Sequence, residues 1–366
     1  MSKPNFFLLT SNNSVKRKFS NSNSNQIILT TRARIARNLT NHKFGSMNDN
    51  QEKKAILNLV KDTATQIKEL SDYRFYATGK LTKIQRKLLI EKHLMSSEMS
   101  QRMQGKGILV KSDHSYQSYS KKSVSIMINE EDHLRIQCIT PGLSIQQSYL
   151  EVMKIGEKLE KRLNFAFNST LGYITACPTN LGTALRISVI AHLPGLVMSS
   201  KIVDFIKNLS QIGCSIRGYF GENSEVAGNL FQVSNQITLG KSEKDIVEEM
   251  QAICLNIIEE EEKVKQELKT NNFVNIEDSV YRSYGMLRYA KMLSYEESLE
   301  ILSMLELGLD LGVIKDVKKF NFYELAGIIG SSHIILNLKK NKNISEDEVD
   351  LIRADMIREK ILKGIG

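Results

Sequence analysis

The chain has 366 residues, a formal net charge of +9 and 41% hydrophobic residues. This length allows one large domain or two ordinary ones, and the apolar content is ample for a packed core. No window approaches the run of about 18 apolar residues that a membrane span needs. The first residues lack the apolar core and cleavage site of a signal peptide. We therefore expect a cytoplasmic protein that has no contact with a membrane.

The four cysteines, at positions 138, 177, 214 and 254, form no Cys-x-x-Cys pair. The six histidines show no metal-ligand spacing, so we expect no zinc site and assign no residue to a metal. Basic residues are spread along the chain, usually with acids beside them. A basic cleft for polyphosphate explains their excess as well as nucleic acid does, and we disfavour nucleic acid as a partner.

The basic, Asn/Ser-rich segment 1–25 is predicted to be a mobile tail. A β-prone segment follows it and leads into Arg32 and Arg34. If the backbone stays extended, these two side chains share one face, because side chains alternate along a strand. Two guanidinium groups on one face repel each other unless an anion lies between them. The alternative, a solvated basic strand, is weaker because Ile35 and Ala36 indicate partial burial.

Helical periodicity predicts helices over 50–70 and 81–94, the second ending at His93. Residues 95–123 are predicted to be a loop around a short strand. An alternating strand over 124–128 then leads into the run Asn-Glu-Glu-Asp-His-Leu-Arg.

Three successive acids next to an apolar strand are costly to bury unless they are paired or used. If the extended backbone continues, Glu131 and Arg135 point the same way and share one wall of a site. The alternative is an acidic turn between two strands.

Ser144 and Gln147 form the pattern of a capping box and predict the start of a long helix. The chain is organised around residues 171–196. There Pro178 favours extended geometry at Cys177 and places its thiol at the lip of a turn. Arg186 follows nine residues later, so the thiol and the guanidinium indicate one side of a polar cleft. The alternative is a loop between two core elements with a surface arginine.

Residues 217–225 hold two glycines, an arginine and two acids, which favours a functional loop over a plain turn. Composition changes at 270–272, where we place a domain boundary. Beyond it we predict four helices, over 276–293, 295–311, 321–339 and 346–363. This bundle is large enough to be a small domain, and it is also suited to present a dimer face.

Five arginines therefore stand in loops or on strands: Arg32, Arg34, Arg135, Arg186 and Arg217. Arginine suits bidentate contacts to phosphate. The chain has neither a Walker-type phosphate loop nor the motif set of protein kinases. If a nucleotide binds, a cradle of arginines must hold it.

Four motifs, in the order TTRARIARN, NEEDHLRIQ, GYITACPTNLGTALR and RGYFGENSE, resemble those of the ATP:guanidino phosphotransferase family. Two further stretches, GNLFQVSNQITLGKSEKDI and VYRSYGML, are similar to its bacterial protein-arginine kinase branch. The resemblance implies an α+β fold like that of phosphagen kinases and glutamine synthetase, an antiparallel sheet flanked by helices. It implies a catalytic domain over 26–269 and an all-α domain for dimerisation or docking over 270–366.

The resemblance also implies the site residues. The ATP contacts would be Thr30, Thr31, Arg32, Ala33, Arg34, His93, Arg135, Arg186, Ile187, Ser188, Val189, Ile190, Arg217, Gly218, Tyr219, Phe220, Gly221 and Glu222. Glu131 and Glu222 would hold the acceptor guanidinium, with Cys177 lying against it. The cofactors implied are ATP and Mg²⁺, and the reaction is transfer of the γ-phosphoryl group to arginine.

Only 31 residues precede Arg32, whereas small-molecule guanidino kinases carry a helical domain there that closes over the substrate. We therefore expect an open acceptor site that takes arginine within a polypeptide. The alternatives are a kinase for free arginine or another small guanidine, and a non-catalytic adaptor that binds nucleotide or phosphoarginine. The intact Glu131, Glu222 and Cys177 argue against an adaptor.

In the protein-arginine kinase branch, an Arg-Asp-x-x-Arg-Ala motif near the C-terminus binds phosphoarginine. Here Asp350 and Arg353 match it, but Val349 replaces its first arginine, which puts this docking in question. By resemblance the partners are arginine-bearing proteins, a second copy of the chain, an McsA-like activator and a Clp ATPase and protease.

Overall fold

The structure is a computed structural model that describes residues 27–43, 48–101, 103–111, 119, 121–218, 227–271, 273–338 and 344–362. The predicted tail at 1–25 lies outside the described residues. The strands, in chain order, are β1 Ile28–Arg37, β2 Tyr73–Ala77, β3 Gly107–Lys111, β4 Ser123–Ile128, β5 Leu134–Pro141, β6 Phe167–Asn168, β7 Gly172–Tyr173, β8 Leu185–His192, β9 Cys214–Gly218 and β10 Leu230–Asn235.

Eight of these strands form one sheet in the order β2-β3-β4-β5-β1-β8-β10-β9. Each neighbouring pair is antiparallel. Strands β6 and β7 form a separate short hairpin. The antiparallel sheet expected from the sequence is therefore confirmed.

Helices flank this sheet and follow it. They are α1 Asn50–Thr65, α2 Lys83–Glu91, α3 Ser97–Gln101, α4 Ile145–Glu160, α5 Pro194–Met198, α6 Ile202–Gln211, α7 Glu243–Asn271, α8 Phe273–Tyr289, α9 Tyr295–Asp310, α10 Phe322–Ile328, α11 Ser331–Asn337 and α12 Glu346–Ile361. None of the helices within the described ranges combines the length and the apolar character needed to cross a bilayer.

The central strand β1 has two chemically different faces. Ala33 and Ile35 are fully buried and face α4, where Gly156 lets the Ile35 side chain approach the helix backbone. A Cβ added at Gly156 would lie only 2.8 Å from the Ile35 Cδ1 atom. Arg32 and Arg34 alternate with these apolar residues and therefore lie on the opposite face. Burial of the apolar face favours a central position for β1 in the sheet. The arginines of β1 therefore lie near the centre of the opposite face.

The capping box predicted at Ser144 is wrong. Ser144 Oγ donates a hydrogen bond to the Pro141 carbonyl, and no side chain caps α4. The Ser144 amide instead donates to Thr31 Oγ1, at 3.0 Å. A tertiary contact to β1 has taken the place of the local cap, because it satisfies the same backbone group.

The single helix predicted over 321–339 is also wrong, since α10 and α11 are separate helices. Gly330 lies between them with extended geometry, at φ −58° and ψ 142°. Arg353 Nε donates to the Ile329 carbonyl, and the Ser332 amide donates to Glu91 Oε1. Side chains from elsewhere in the chain thus satisfy the backbone groups that the break exposes.

The C-terminal helices share one hydrophobic core with the sheet. Leu299 on α9 packs against Gly228, and the His192 ring at the end of β8 lies 2.7 Å from Ser303 Oγ. The Phe322 ring stacks on His192 with centroids 4.8 Å apart. Helix α7 ends and α8 begins at the predicted boundary, and the division into two domains stays a prediction.

We predict that Gly228→Ala destabilises the protein by about 2–4 kcal/mol. Gly228 has φ +64°, and an added Cβ would lie 2.9 Å from Leu299 Cβ and from its carbonyl oxygen. The substitution therefore lowers the free energy of unfolding for two reasons: alanine disfavours left-handed geometry, and its Cβ overpacks the contact with α9. The matched control is Gly213→Ala, which has φ +84° but nothing within 4 Å of the new Cβ. It should cost only about 1–2 kcal/mol. If urea denaturation showed the same loss of unfolding free energy for both variants, the contact between Gly228 and Leu299 would be contradicted.

Candidate active site

Five arginine side chains lie on one face of the sheet, which we call the arginine face: Arg32 and Arg34 from β1, Arg135 from β5, Arg186 from β8 and Arg217 from β9. Arg34 is paired with Arg186 on β8 and with Gln137 on β5. Residues directly opposite each other share a face, and so do residues two apart on one strand. Arg135 is therefore on the same face as Gln137, and Arg32 on the same face as Arg34.

Arg217 reaches the arginine face through β10. It is paired with Gln232, which is in turn paired with Ile190 on β8. Gln232 Oε1 accepts a hydrogen bond from Arg32 Nη2 at 3.1 Å, and Ser188 Oγ accepts one from Arg32 Nε at 3.2 Å. Polar side chains on β8 and β10 therefore orient the first arginine of β1. Gln232 and Gln137 were not predicted from the sequence to belong to this site. A glutamine inside an otherwise apolar strand is the feature that could have indicated them.

The arginines of this face repel one another. The pKa of Arg34 is lowered well below its usual value, first by burial and then by the charges of Arg32, Arg135 and Arg186. The pKa of Arg186 is lowered by burial and by Arg217 and Arg135. The Nε atoms of Arg34 and Arg186 are buried without a hydrogen-bond partner among the described residues. Two buried donors among like charges fit an anion with several oxygen atoms, as in the triphosphate of ATP.

The loop between β4 and β5 presents two glutamates in different ways. The Glu130 side chain is only 4% exposed, accepts from Arg135 Nη1 at 3.0 Å and accepts from Ser96 Oγ. The Glu131 side chain is 44% exposed, and its Oε2 lies 3.3 Å from Arg135 Nη2. Burial raises the pKa of Glu131, and Arg135 opposes that shift. Glu130 therefore fixes Arg135, while Glu131 remains accessible to a substrate.

Asp132 joins this loop to the one that carries Cys177. Its buried Oδ1 accepts from the Ala176 amide at 2.6 Å and from Asn38 Nδ2 at 2.7 Å. Cys177 is the next residue, with extended geometry at φ −99° and ψ 124° as the sequence predicted, and a partly exposed thiol. Asp132 and Ala176 are hydrogen-bonded to each other. Glu131 is the chain neighbour of Asp132, and Cys177 is the chain neighbour of Ala176. No motif in the sequence indicates this role for Asp132.

His93 contributes a neutral ring to the site. Burial and the charge of Arg32 lower its pKa to about 3, so the imidazole carries no charge at neutral pH. Its backbone has φ +54°, and its carbonyl accepts from Gln137 Nε2 at 2.6 Å. A neutral ring beside Arg32 is compatible with the nucleotide contact expected from the sequence.

Some predicted nucleotide contacts are not brought to the arginine face. Thr30, Ser188 and Ile190 share it by register, whereas the side chains of Thr31, Ala33, Ile187 and Val189 are buried on the opposite face. Gly218 ends β9. The remaining predicted residues, Tyr219, Phe220, Gly221 and Glu222, lie outside the described residues.

Arg353, predicted for phosphoarginine docking, is buried inside the C-terminal helices. It donates to the Ile329 and Leu293 carbonyls, to Ser331 Oγ and to Asp350. These four bonds use most of the five N–H groups of a guanidinium. In this arrangement the Arg353 side chain joins the ends of helices, and its role in phosphoarginine docking stays a prediction.

Two family descriptions match the chain. Residues 55–264 match the ATP:guanido phosphotransferase C-terminal catalytic domain, and residues 274–364 match the protein-arginine kinase McsB C-terminal domain. The chain is 38% identical to a protein-arginine kinase of Bacillus cereus and 37% identical to one of Bacillus anthracis. Each alignment has 337 residues and covers 92% of both chains.

Among solved structures, the duplicated taurocyamine kinase of Schistosoma mansoni is similar with a TM-score of 0.55 and 26% identity, covering 69% of this chain. This chain spans only 36% of that protein's length. Lombricine kinase is similar in fold, with a TM-score of 0.57 and 23% identity over 66% of this chain and 68% of that one.

The chain therefore belongs to the ATP:guanido phosphotransferases, a class whose activity is consistent with an arginine face beside an accessible carboxylate. Within that class it belongs to the protein-arginine kinases, because relatives of that name match along nearly the whole chain and the C-terminal domain matches as well.

We predict that Asp132→Ala lowers kcat about 100-fold, because small misplacements of groups near reacting atoms have effects of that size. The substitution leaves the Ala176 amide and the Asn38 side chain without their common acceptor. The KM for ATP should stay within about twofold, since the hydrogen bonds of Asp132 go to Ala176 and Asn38 and not to an arginine of this face. The matched control, Asp132→Asn, keeps the accepting Oδ1 and should retain most of the activity. Steady-state kinetics checks both, and wild-type kcat in Asp132→Ala would contradict the role.

Proposed function

We propose that this chain transfers the γ-phosphoryl group of ATP to arginine side chains of protein substrates. The observation that carries the proposal is the pairing of a crowded arginine face with an accessible Glu131. The arginine face supplies positive charge for a triphosphate, and Glu131 supplies a carboxylate for an acceptor guanidinium. The match of the C-terminal helices to the protein-arginine kinase domain supports a protein as the acceptor.

Phosphoryl transfer depends on positioning and on neutralising charge, because its transition state is loose and carries negative charge on the phosphoryl oxygens. We propose that the five arginines hold the phosphates and balance that charge. Among the described residues, no group of three or more His, Cys, Asp or Glu side chains is arranged to hold a metal. We propose that Mg²⁺ would bind through the phosphates of ATP, where it would add positive charge to the transferring group.

The acceptor guanidinium is not a nucleophile while it is protonated. We propose that Glu131 aligns it and takes a proton from the attacking nitrogen as the N–P bond forms. The bond from the γ-phosphorus to the bridging oxygen breaks at the same time and ADP leaves. Burial already raises the pKa of Glu131, which favours proton acceptance. Cys177 is proposed to lie against the guanidinium, and Glu222 to be the second carboxylate.

We further propose that the protein acts in the cytoplasm as a homodimer. The exposed large apolar side chains of α8 support a dimer face there, and they are Phe273, Val274, Tyr281, Met286 and Tyr289. The resemblance to the protein-arginine kinase branch supports an McsA-like activator and delivery of marked proteins to a Clp ATPase and protease.

A phosphotransfer assay tests the proposed function. Radiolabelled Mg-ATP is offered with an unfolded arginine-rich protein, with the same protein in which lysine replaces arginine, and with free L-arginine. We expect acid-labile label on the arginine-rich protein and none on its lysine counterpart. Label on free arginine alone would instead establish a small-molecule guanidino kinase. No transfer in any sample, with ATP still bound, would favour a non-catalytic adaptor or an enzyme that needs the proposed activator.

We predict that substitutions of the two neighbouring glutamates, Glu130 and Glu131, have different effects on turnover and on ATP binding. Glu131→Gln should lower kcat by about 10²–10⁴-fold, the usual range for a lost general base, while the Kd for ATP stays near the wild-type value. Glu130→Gln should instead weaken ATP binding, because Glu130 holds Arg135 in place. Calorimetric titration with ATP measures the second effect. If Glu130→Gln proved the inactive variant and Glu131→Gln the weak binder, the two roles would be reversed.

A further inference from the structure

Four large apolar side chains are exposed beside the Cys177 loop. We call them the apolar rim: Phe167, Leu171, Ile237 and Leu239, each between 42% and 61% exposed. Single exposed apolar residues are normal on a protein surface. Four of them on segments that touch one another next to a reaction site call for an explanation.

The segments of the rim meet through their backbones. The Tyr173 amide donates to the Gly182 carbonyl at 2.8 Å, and both Gly172 and Gly182 have positive φ. A Cβ at Gly182 would lie 2.5 Å from the Thr238 carbonyl oxygen and 2.9 Å from Leu239 Cα. Since glycine leaves no side chain between the segments, the apolar residues that flank these contacts are brought to one surface.

The rim continues directly from the acceptor site. Thr238 lies between Ile237 and Leu239, and its Oγ1 donates to the carbonyls of Thr179 and Leu181 at 3.1 and 2.7 Å. Thr179 Oγ1 is in turn 3.0 Å from Cys177 Sγ. A single residue, Thr179, therefore separates the rim from the thiol.

The hairpin that carries Phe167 is held against the end of β1. Phe167 packs edge-on against Tyr173, with ring centroids 5.2 Å apart. The Arg37 guanidinium at the end of β1 lies 3.3 Å from the centroid of the Tyr173 ring. Phe167 is thus exposed on a hairpin that is held in place, and binding there needs little ordering of the protein.

We propose that the apolar rim binds apolar side chains on either side of the target arginine in an extended substrate segment. This inference rests on the proposed function, because it takes the acceptor to be an arginine within a polypeptide. The rim and the thiol are separated only by Thr179, and an extended chain rises about 3.3 Å per residue, so the favoured apolar residues lie within roughly four positions of the arginine. The rim is then a specificity surface for sequence context, while Glu131 and Cys177 engage the arginine itself.

Two peptides of equal charge test the proposal. Each has one central arginine, flanked at these positions by leucine in one peptide and by serine in the other. We expect the wild-type kcat/KM to be at least about tenfold higher for the leucine peptide, mainly through KM, because apolar burial on binding favours it. The double variant Phe167→Ser, Leu239→Ser should lose this preference and turn over the serine peptide normally. The control Val203→Ser, equally exposed on α6, should keep it.

Equal wild-type kcat/KM for both peptides would overturn the inference and leave the proposed function intact. An equal loss on both peptides in the double variant would also overturn it, since a specificity surface affects only the leucine peptide. Binding of fluorescent versions of both peptides, measured by anisotropy, tests the rim without catalysis. Tighter binding of the leucine peptide that depends on Phe167 and Leu239, without transfer to either peptide, would support the rim and contradict the proposed function.

Discussion

Mutual repulsion among five arginines on one sheet face is the constraint on which the site depends. The pKa of Arg34 is lowered by burial and by the charges of its neighbours, so the folded state disfavours the charge that the site needs. A few contacts keep the face in order: Glu130 fixes Arg135, while Gln232 and other polar groups orient Arg32. The remaining positive charge is available to a polyanion, which relieves the repulsion when it binds.

The fold tolerates this face because the other face of the same sheet supplies stability. Ile35 and its neighbours pack beneath α4, and the core extends without interruption into the C-terminal helices. The proposed acceptor groups belong to loops at the edge of the arginine face, and Asp132 joins the loops of Glu131 and Cys177 by a hydrogen bond. In the proposed mechanism, nucleotide binding is thus built on rigid strands, whereas acceptor recognition is built on loops that a sequence can vary more easily.

The alternation of β1 was predictable from the sequence, because it needs only a period of two, and Arg32 and Arg34 do share a face. The pairing of Arg34 with Arg186 was not, because it depends on the register of strands far apart in the chain. The sequence also favoured Glu131 over Glu130 as the acceptor carboxylate, but it did not show what buries Glu130 and leaves Glu131 exposed. Their difference arises from Ser96, which meets Glu130 only in the folded protein.

The measurement that tests the account most directly is the thermal unfolding of wild type and Arg34→Met, each with and without Mg-ATP. Without nucleotide the variant should unfold at a higher temperature, because an apolar side chain replaces a charge that burial and its neighbours disfavour. Mg-ATP should raise the Tm of the wild type and raise that of the variant much less. A variant that is less stable without nucleotide, yet shows the full shift with Mg-ATP, would contradict the account.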